Sequence, residues 1–311
     1  MLRRLFFLRL SVLAVAVLVL VQATALYAAD EFTLDSARPA AEKGSAPAEY
    51  FLAKQYAKGH GVPQDYAKAA EYMRQAAEQG YAFAQNDLGV FYAKGQGVKQ
   101  NYQEAVKWYR KAAENGDPLG QYSLGRAYAQ GRGVPTNMVE SLKWYRLAAA
   151  QNQPDALLAL GDLYQYGADG VRVDCKEASQ WFEKAVALGR FEVLNNLGFI
   201  YETGGYGVPQ DLGKALDYYR SGAEHNVGLA QMNLGRMYQD GLGVPCDLVE
   251  SYKWFYLAAH NGAGVANHYL MELGGNNPLH GALLTPEQIQ QAIRRADDFK
   301  KSRAPADLHP H

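Results

Sequence analysis

The stretch Ala84 to Gly116, AQNDLGVFYAKGQGVKQNYQEAVKWYRKAAENG, places apolar residues at helical spacing on both sides of a polar, glycine-rich middle. Leu88 and Tyr92 lie four apart on one face of the first half. In the second half Trp108 and Tyr109 are followed by Ala112 and Ala113. The pattern predicts two amphipathic helices, A and B, joined by a short loop. It recurs along the chain. Ala-x-x-x-Leu-Gly starts fall at Ala48, Ala84, Gly120, Ala156, Val193, Ala230 and, incompletely, Ala266, spaced 36 or 37 residues apart. A fixed period of roughly 20–50 residues marks a stacked solenoid. The longer periods coincide with one extra loop residue, as in Gly167-Ala168-Asp169-Gly170 and Gly204-Gly205-Tyr206-Gly207, where the other copies carry Gly-x-Gly. Loops tolerate added length most cheaply.

Punctuation agrees with this reading. Helix A stops at Gly59, Gly95, Gly131, Gly167, Gly204 and Gly241, a residue that takes the left-handed conformation ending a helix. Helix B starts at Asp65, Asn101, Asn137, Asp174, Asp211 or Asp247, each able to accept from a free first-turn N–H. Glu104, Glu140, Glu177 and Glu250 stand three residues on and predict a reciprocal capping box. Helix B ends at Gly80, Gly116, Asn152, Gly189, Asn226 and Gly262. The mid-helix glycines Gly89, Gly125, Gly161, Gly198 and Gly235 predict close approach of a neighbouring backbone, since such a residue otherwise costs about 1 kcal/mol. Trp108, Trp144, Trp181 and Trp254 share one repeat position and read as core, as does the mostly aromatic position after it.

These residues make up A-x-x-x-L-G-x-x-Y-x-x-G-x-G-V-x-x-(D/N)-x-x-(K/E)-A-x-x-W-(Y/F)-x-x-A-A-x-x-G, which resembles the Sel1-like repeat, a longer-looped relative of the tetratricopeptide repeat. The resemblance spans about residues 46 to 274 and departs from the pattern at Ala53 and Met271, both terminal. It implies an all-α, right-handed solenoid of stacked helix-loop-helix repeats, with six full repeats, a partial seventh and a C-terminal capping helix. For function it implies adaptor and scaffold roles more often than catalysis.

Outside the repeats, residues 1–25 read as a secretory signal peptide. Arg3, Arg4 and Arg9 flank Phe6-Phe7-Leu8, an apolar run extends from Val12 to Val21, and Ala23-Thr24-Ala25 offers small residues for cleavage; a cut after Ala28 fits equally. Residues 26–45 show no periodicity and read as a flexible linker. Residues 275–303 form a connecting loop and a closing helix that begins at Thr285-Pro286-Glu287-Gln288, with Ile289, Ala292, Ile293 and Ala296 as its apolar stripe. Residues 304–311 read as a disordered tail.

Net charge is −1, and loss of residues 1–25 removes three arginines and no acid, leaving −4. No basic cluster points to nucleic acid. Cys175 and Cys246 sit at helix-B starts two repeats apart, too far for a disulfide, and are expected as free, partly buried thiols. No H-E-x-x-H, C-x-x-C or Gly-x-x-x-x-Gly-Lys occurs, so no metal or cofactor is expected. His268 and Glu272 read as a surface contact. A cysteine-rich branch of the Sel1-like family is described as β-lactamase-like. Ser-x-x-Lys is absent here, the nearest sequences being Ser141-Leu142-Lys143 and Ser251-Tyr252-Lys253.

In a helix-hairpin solenoid the A helices line the concave face. Residues two before Leu, one after Gly and one after Tyr share a helical face free to vary between copies. Along the middle and later copies this face reads Tyr122 and Arg126, then Leu158, Asp162 and Gln165, then Asn195, Phe199 and Glu202, then Met232 and Arg236. Aromatics, Arg, Met and amides make these the expected partner-binding residues, with a protein or peptide as partner. The chain thus reads as an exported, monomeric, non-enzymatic adaptor of the Gram-negative periplasm, with no membrane span after cleavage. The alternatives are an envelope factor that binds peptidoglycan or hydrolyses β-lactams, and a surface or secreted factor that binds a host protein.

Overall fold

The structure, a computed structural model, describes residues 32–275 and 282–303. The expected signal peptide and C-terminal tail lie outside the described residues. Within them there are fifteen α-helices and no strand; Ala168 and Val171 form an isolated antiparallel bridge that closes one of the longer loops. The chain divides after Gln153 into two compact units.

The first unit holds α1 (Leu34–Glu42), α2 (Ala46–Lys58), α3 (Tyr66–Glu78), α4 (Ala82–Lys94), α5 (Tyr102–Glu114), α6 (Pro118–Gln130) and α7 (Met138–Ala150). The second holds α8 (Pro154–Tyr166), α9 (Cys175–Ala187), a short 3-10 turn (Phe191–Val193), α10 (Leu194–Thr203), α11 (Leu212–Glu224), α12 (Gly228–Asp240), α13 (Leu248–His260), α14 (Ala266–Gly274) and α15 (Pro286–Arg303). Within each unit consecutive helices pack in antiparallel pairs. Neighbouring A helices also touch, α4 with α6 and α10 with α12. The fold is an all-α solenoid of helix-loop-helix repeats.

All six Asp/Asn caps accept from first-turn N–H groups. The reciprocal half of the capping box does not form in helix B. Each cap residue's own N–H donates instead to the carbonyl of the helix-A tyrosine, for example Asn101 to Tyr92 at 2.9 Å and Asp211 to Tyr201 at 2.8 Å. With that donor satisfied, Glu104 and Glu250 pair with Lys107 and Lys253, both at 2.5 Å, and Glu177 accepts from Trp181 Nε1. The loop is thereby tied to the helix it leaves.

The repeated mid-helix glycine makes room for a ring more than for a backbone. A Cβ on Gly161 would lie 2.2 Å from Phe182, and one on Gly198 2.4 Å from Tyr219. Gly89, Gly125 and Gly235 meet Tyr109, Tyr145 and Phe255 in the same way. These rings are the core position. Phe182, Tyr219 and Phe255 are fully buried, whereas Trp108, Trp144 and Trp181 are only half-buried. The expectation that all four tryptophans are core holds for Trp254, while Trp108 and Trp144 pack against their core clusters from the edge. The Trp position lies about 100° further round helix B, on its flank, where Lys111 and Lys184 sit 4.1 and 4.2 Å over Trp108 and Trp181. Trp254 is buried because Phe299 of α15 packs edge-on against it at 5.2 Å.

The expectation of a flexible linker over 26–45 is corrected for its described part. There α1 is capped by Thr33 and Ser36 in a reciprocal box, and it buries Ala37 against Ala48 and Leu52. It covers the end of the first repeat, which would otherwise expose that surface. At the other end α15 closes the second unit. Thr285 and Gln288 exchange the expected capping bonds, Ala292 and Ala296 are buried, and Arg295 reaches Glu250 at 3.3 Å. Both cysteines are free; Cys175 is buried, but Cys246, expected to be partly buried, is exposed.

Candidate partner-binding surface

In the first unit the A-helix face carries a polar cluster. Asp87 accepts from Tyr50 Oη at 3.1 Å and pairs with Lys54 at 2.9 Å. Burial, with the Asp87 charge beside it, holds the Tyr50 phenol well above its ordinary range. Ser123 donates to Asn86 at 2.9 Å, joining α6 to α4. Tyr122 is half-buried and stacks on Tyr145 at 5.6 Å. Arg126 is exposed, 5.8 Å over the Tyr122 ring, with no ion-pair partner among the described residues.

Asp117, the cap of α6, is 1% exposed. Its Oδ2 accepts from Gly120 N–H at 2.6 Å, while the buried Oδ1 has no partner among the described residues. Burial pushes the carboxyl up to about 6, against the Gly120 bond and with help from the Asp87 charge. The folded state thus holds this proton more tightly than the unfolded chain. The stability it gives is present below the unfolded value of about 3.9 and is lost as pH rises through 6. Asp117→Asn keeps a good cap and removes the ionisation. It is expected to raise stability at pH 7 by roughly 1–3 kcal/mol and to flatten the pH dependence of melting between pH 4 and 6. A variant that melts lower than wild type at pH 7 would show the carboxylate to be solvated.

In the second unit several of the expected partner-binding residues are bonded to residues of a neighbouring A helix. Gln165 accepts from Asn196 at 3.0 Å, joining α8 to α10, and Asn195 accepts from Asn233 at 2.8 Å, joining α10 to α12. Glu202 is 9% exposed and pairs with Arg236, while Tyr219 donates to its other oxygen at 2.7 Å. Gln165, Asn195, Glu202 and Arg236 therefore hold neighbouring A helices together. Leu158 and Met232 are half-buried, and Met232 packs on the Phe255 cluster. Phe199, at 46%, and Asp162 stay exposed. Tyr166, absent from the expected set, is 68% exposed one turn after Asp162. The i, i+4 spacing was the signal that could have found it.

Ser141 and Ser251, the nearest sequence to a Ser-x-x-Lys nucleophile, are completely buried. No group of three or more His, Cys, Asp or Glu is placed to hold a metal among the described residues, and no described helix is long and apolar enough to cross a membrane.

A helical-repeat solenoid with varied side chains on its A-helix face is the architecture of a protein-interaction scaffold. Six copies of the Sel1 repeat match residues 46–81, 82–117, 118–153, 154–189, 192–227 and 228–262. The chain belongs to the Sel1 repeat family. It is similar to a protective antigen of uropathogenic Escherichia coli that displays an SLR fold, with 35% identity and a TM-score of 0.75. The match covers 86% of this chain and 56% of that one, so the chain spans little more than half the length of that relative. It is also similar to a Sel1 repeat protein from Oxalobacter formigenes, with 33% identity, a TM-score of 0.65, and coverage of 80% and 96% of the two chains. No curated protein matches the sequence.

Proposed function

We propose that this protein is an exported, non-enzymatic adaptor that holds a protein or peptide partner on its A-helix face. The observation that carries the reading is a division of labour on that face. Polar residues that join the A helices are satisfied among themselves, while Arg126 in the first unit and Asp162 and Phe199 in the second stay exposed. Groups left accessible on a rigid scaffold are where recognition concentrates. The burial of Ser141 and Ser251 weighs against the serine-hydrolase alternative. Export rests on residues 1–25, and the E. coli relative, a protective antigen, supports it.

The test is an in-cell crosslinking pull-down run with wild type and with Arg126→Glu/Phe199→Ala. Both residues are exposed, so melting is expected to match wild type. A protein captured by wild type and missing with the variant supports the adaptor. Identical capture in both samples removes the A-helix face from the account. N-terminal sequencing of the exported form is expected to begin at residue 26 or 29; an intact Met1 would remove the cleavage.

A further inference from the structure

We propose that the A-helix face of repeats four and five is selective for a basic side chain, arginine or lysine, flanked by apolar residues in its peptide partner. This deepens the adaptor reading and rests on it. Asp162 makes no hydrogen bond or ion pair among the described residues, whereas Asp155 two turns before it pairs with Arg190 and Glu202 of the next repeat accepts from Tyr219. It is exposed, yet its surroundings strip enough water from it to lift its carboxyl above the ordinary range. Tyr166 lies one turn on, 68% exposed; desolvation raises its phenol and the Asp162 charge adds to this, so the two face common ground. Phe199, 46% exposed, occupies the Asp162 position of the next repeat. The Gln165–Asn196 bond fastens the two helices, with Asp162 one turn before it on α8 and Phe199 one turn after it on α10.

A partly desolvated carboxylate without a partner gains most from a cation that can hydrogen-bond to it. The exposed Tyr166 ring beside it suits the alkyl stem of Arg or Lys and adds cation–π attraction, and Phe199 on the next helix offers an apolar surface to a flanking residue. An acidic side chain meets repulsion at the same place, and a wholly apolar one leaves the carboxylate further desolvated and unpaired. The face therefore discriminates by charge as well as by shape.

The test is selection of a random dodecapeptide phage library on the full chain, followed by binding of the synthetic enriched peptide. The expected result is Arg or Lys fixed at one position with apolar neighbours. Asp162→Asn, with unchanged melting, is expected to weaken the peptide at least tenfold. Replacing its arginine by citrulline, or its lysine by norleucine, should cause a similar loss on wild type and little further loss on Asp162→Asn. Asp162→Lys should select acidic residues instead. Enriched peptides without a basic preference, or equal affinity for wild type and Asp162→Asn, overturn this inference. If Arg126→Glu/Phe199→Ala still abolishes their binding, the adaptor reading stands. Failure of wild type to enrich any sequence removes both.

Discussion

Phe182→Ala is expected to lower the unfolding free energy by about 3–5 kcal/mol, the cost of emptying a filled aromatic site. The ring is fully buried and lies on Gly161, where an added Cβ would sit 2.2 Å away. Trp144→Ala should cost less, because Trp144 is only half-buried. The same geometry predicts the reverse substitution. Gly161→Ala alone forces the ring aside and should cost about 1–3 kcal/mol. In a Phe182→Met background it should cost markedly less, because an unbranched thioether can bend away. The first repeat already carries this exchange. Ala53 stands where the glycine would be and Met73 where the ring would be, both buried in one cluster. A denaturant double-mutant cycle reads the coupling. Strict additivity, or a larger loss at Trp144 than at Phe182, would show that ring and glycine are not packed as a pair.

That pair also marks how far the sequence carries. The period, the caps and the left-handed helix ends were legible because each is a local requirement written six times. Asn152 and Asn226 do take positive φ where the other copies have glycine. The choice between two adjacent aromatic columns was not legible from spacing, since Trp181 and Phe182 share one period. It was legible from exchange, because the glycine and ring columns depart from pattern together at Ala53 and Met73. The helix α1 escaped because a nine-residue helix shows too few turns to reveal a face; its Thr33–Ser36 box was the available signal. On the A-helix face the sequence could not separate residues used between repeats from residues left free. Whether Gln165 reaches Asn196, or Asp162 reaches nothing, depends on the distance between helices and not on spacing within one.

Glu202 gives the second large effect. Glu202→Ala is expected to cost about 3 kcal/mol. It removes the acceptor for the fully buried Tyr219, whose orphaned hydroxyl costs about 1–3 kcal/mol, and a charged bond to Arg236 of similar size. The total is discounted because the Arg236 side chain keeps 32% of its exposure and can turn to water. Glu202→Gln should cost about half as much, since its carbonyl still accepts from Tyr219 while its amide faces Arg236. Glu202→Leu with Arg236→Met should recover part of the loss, as replacing both members of a buried pair generally does. Thermal and denaturant unfolding of the three variants checks the order. A loss under about 1 kcal/mol for Glu202→Ala would make the pair incidental and return Arg236 to the free groups of the face. Peptide affinity separates the two roles. With the folded fraction held constant, Glu202→Ala should bind within a few-fold of wild type, because Asp162 and Phe199 remain in place. A tenfold loss there would mean that Glu202 and Arg236 touch the partner directly.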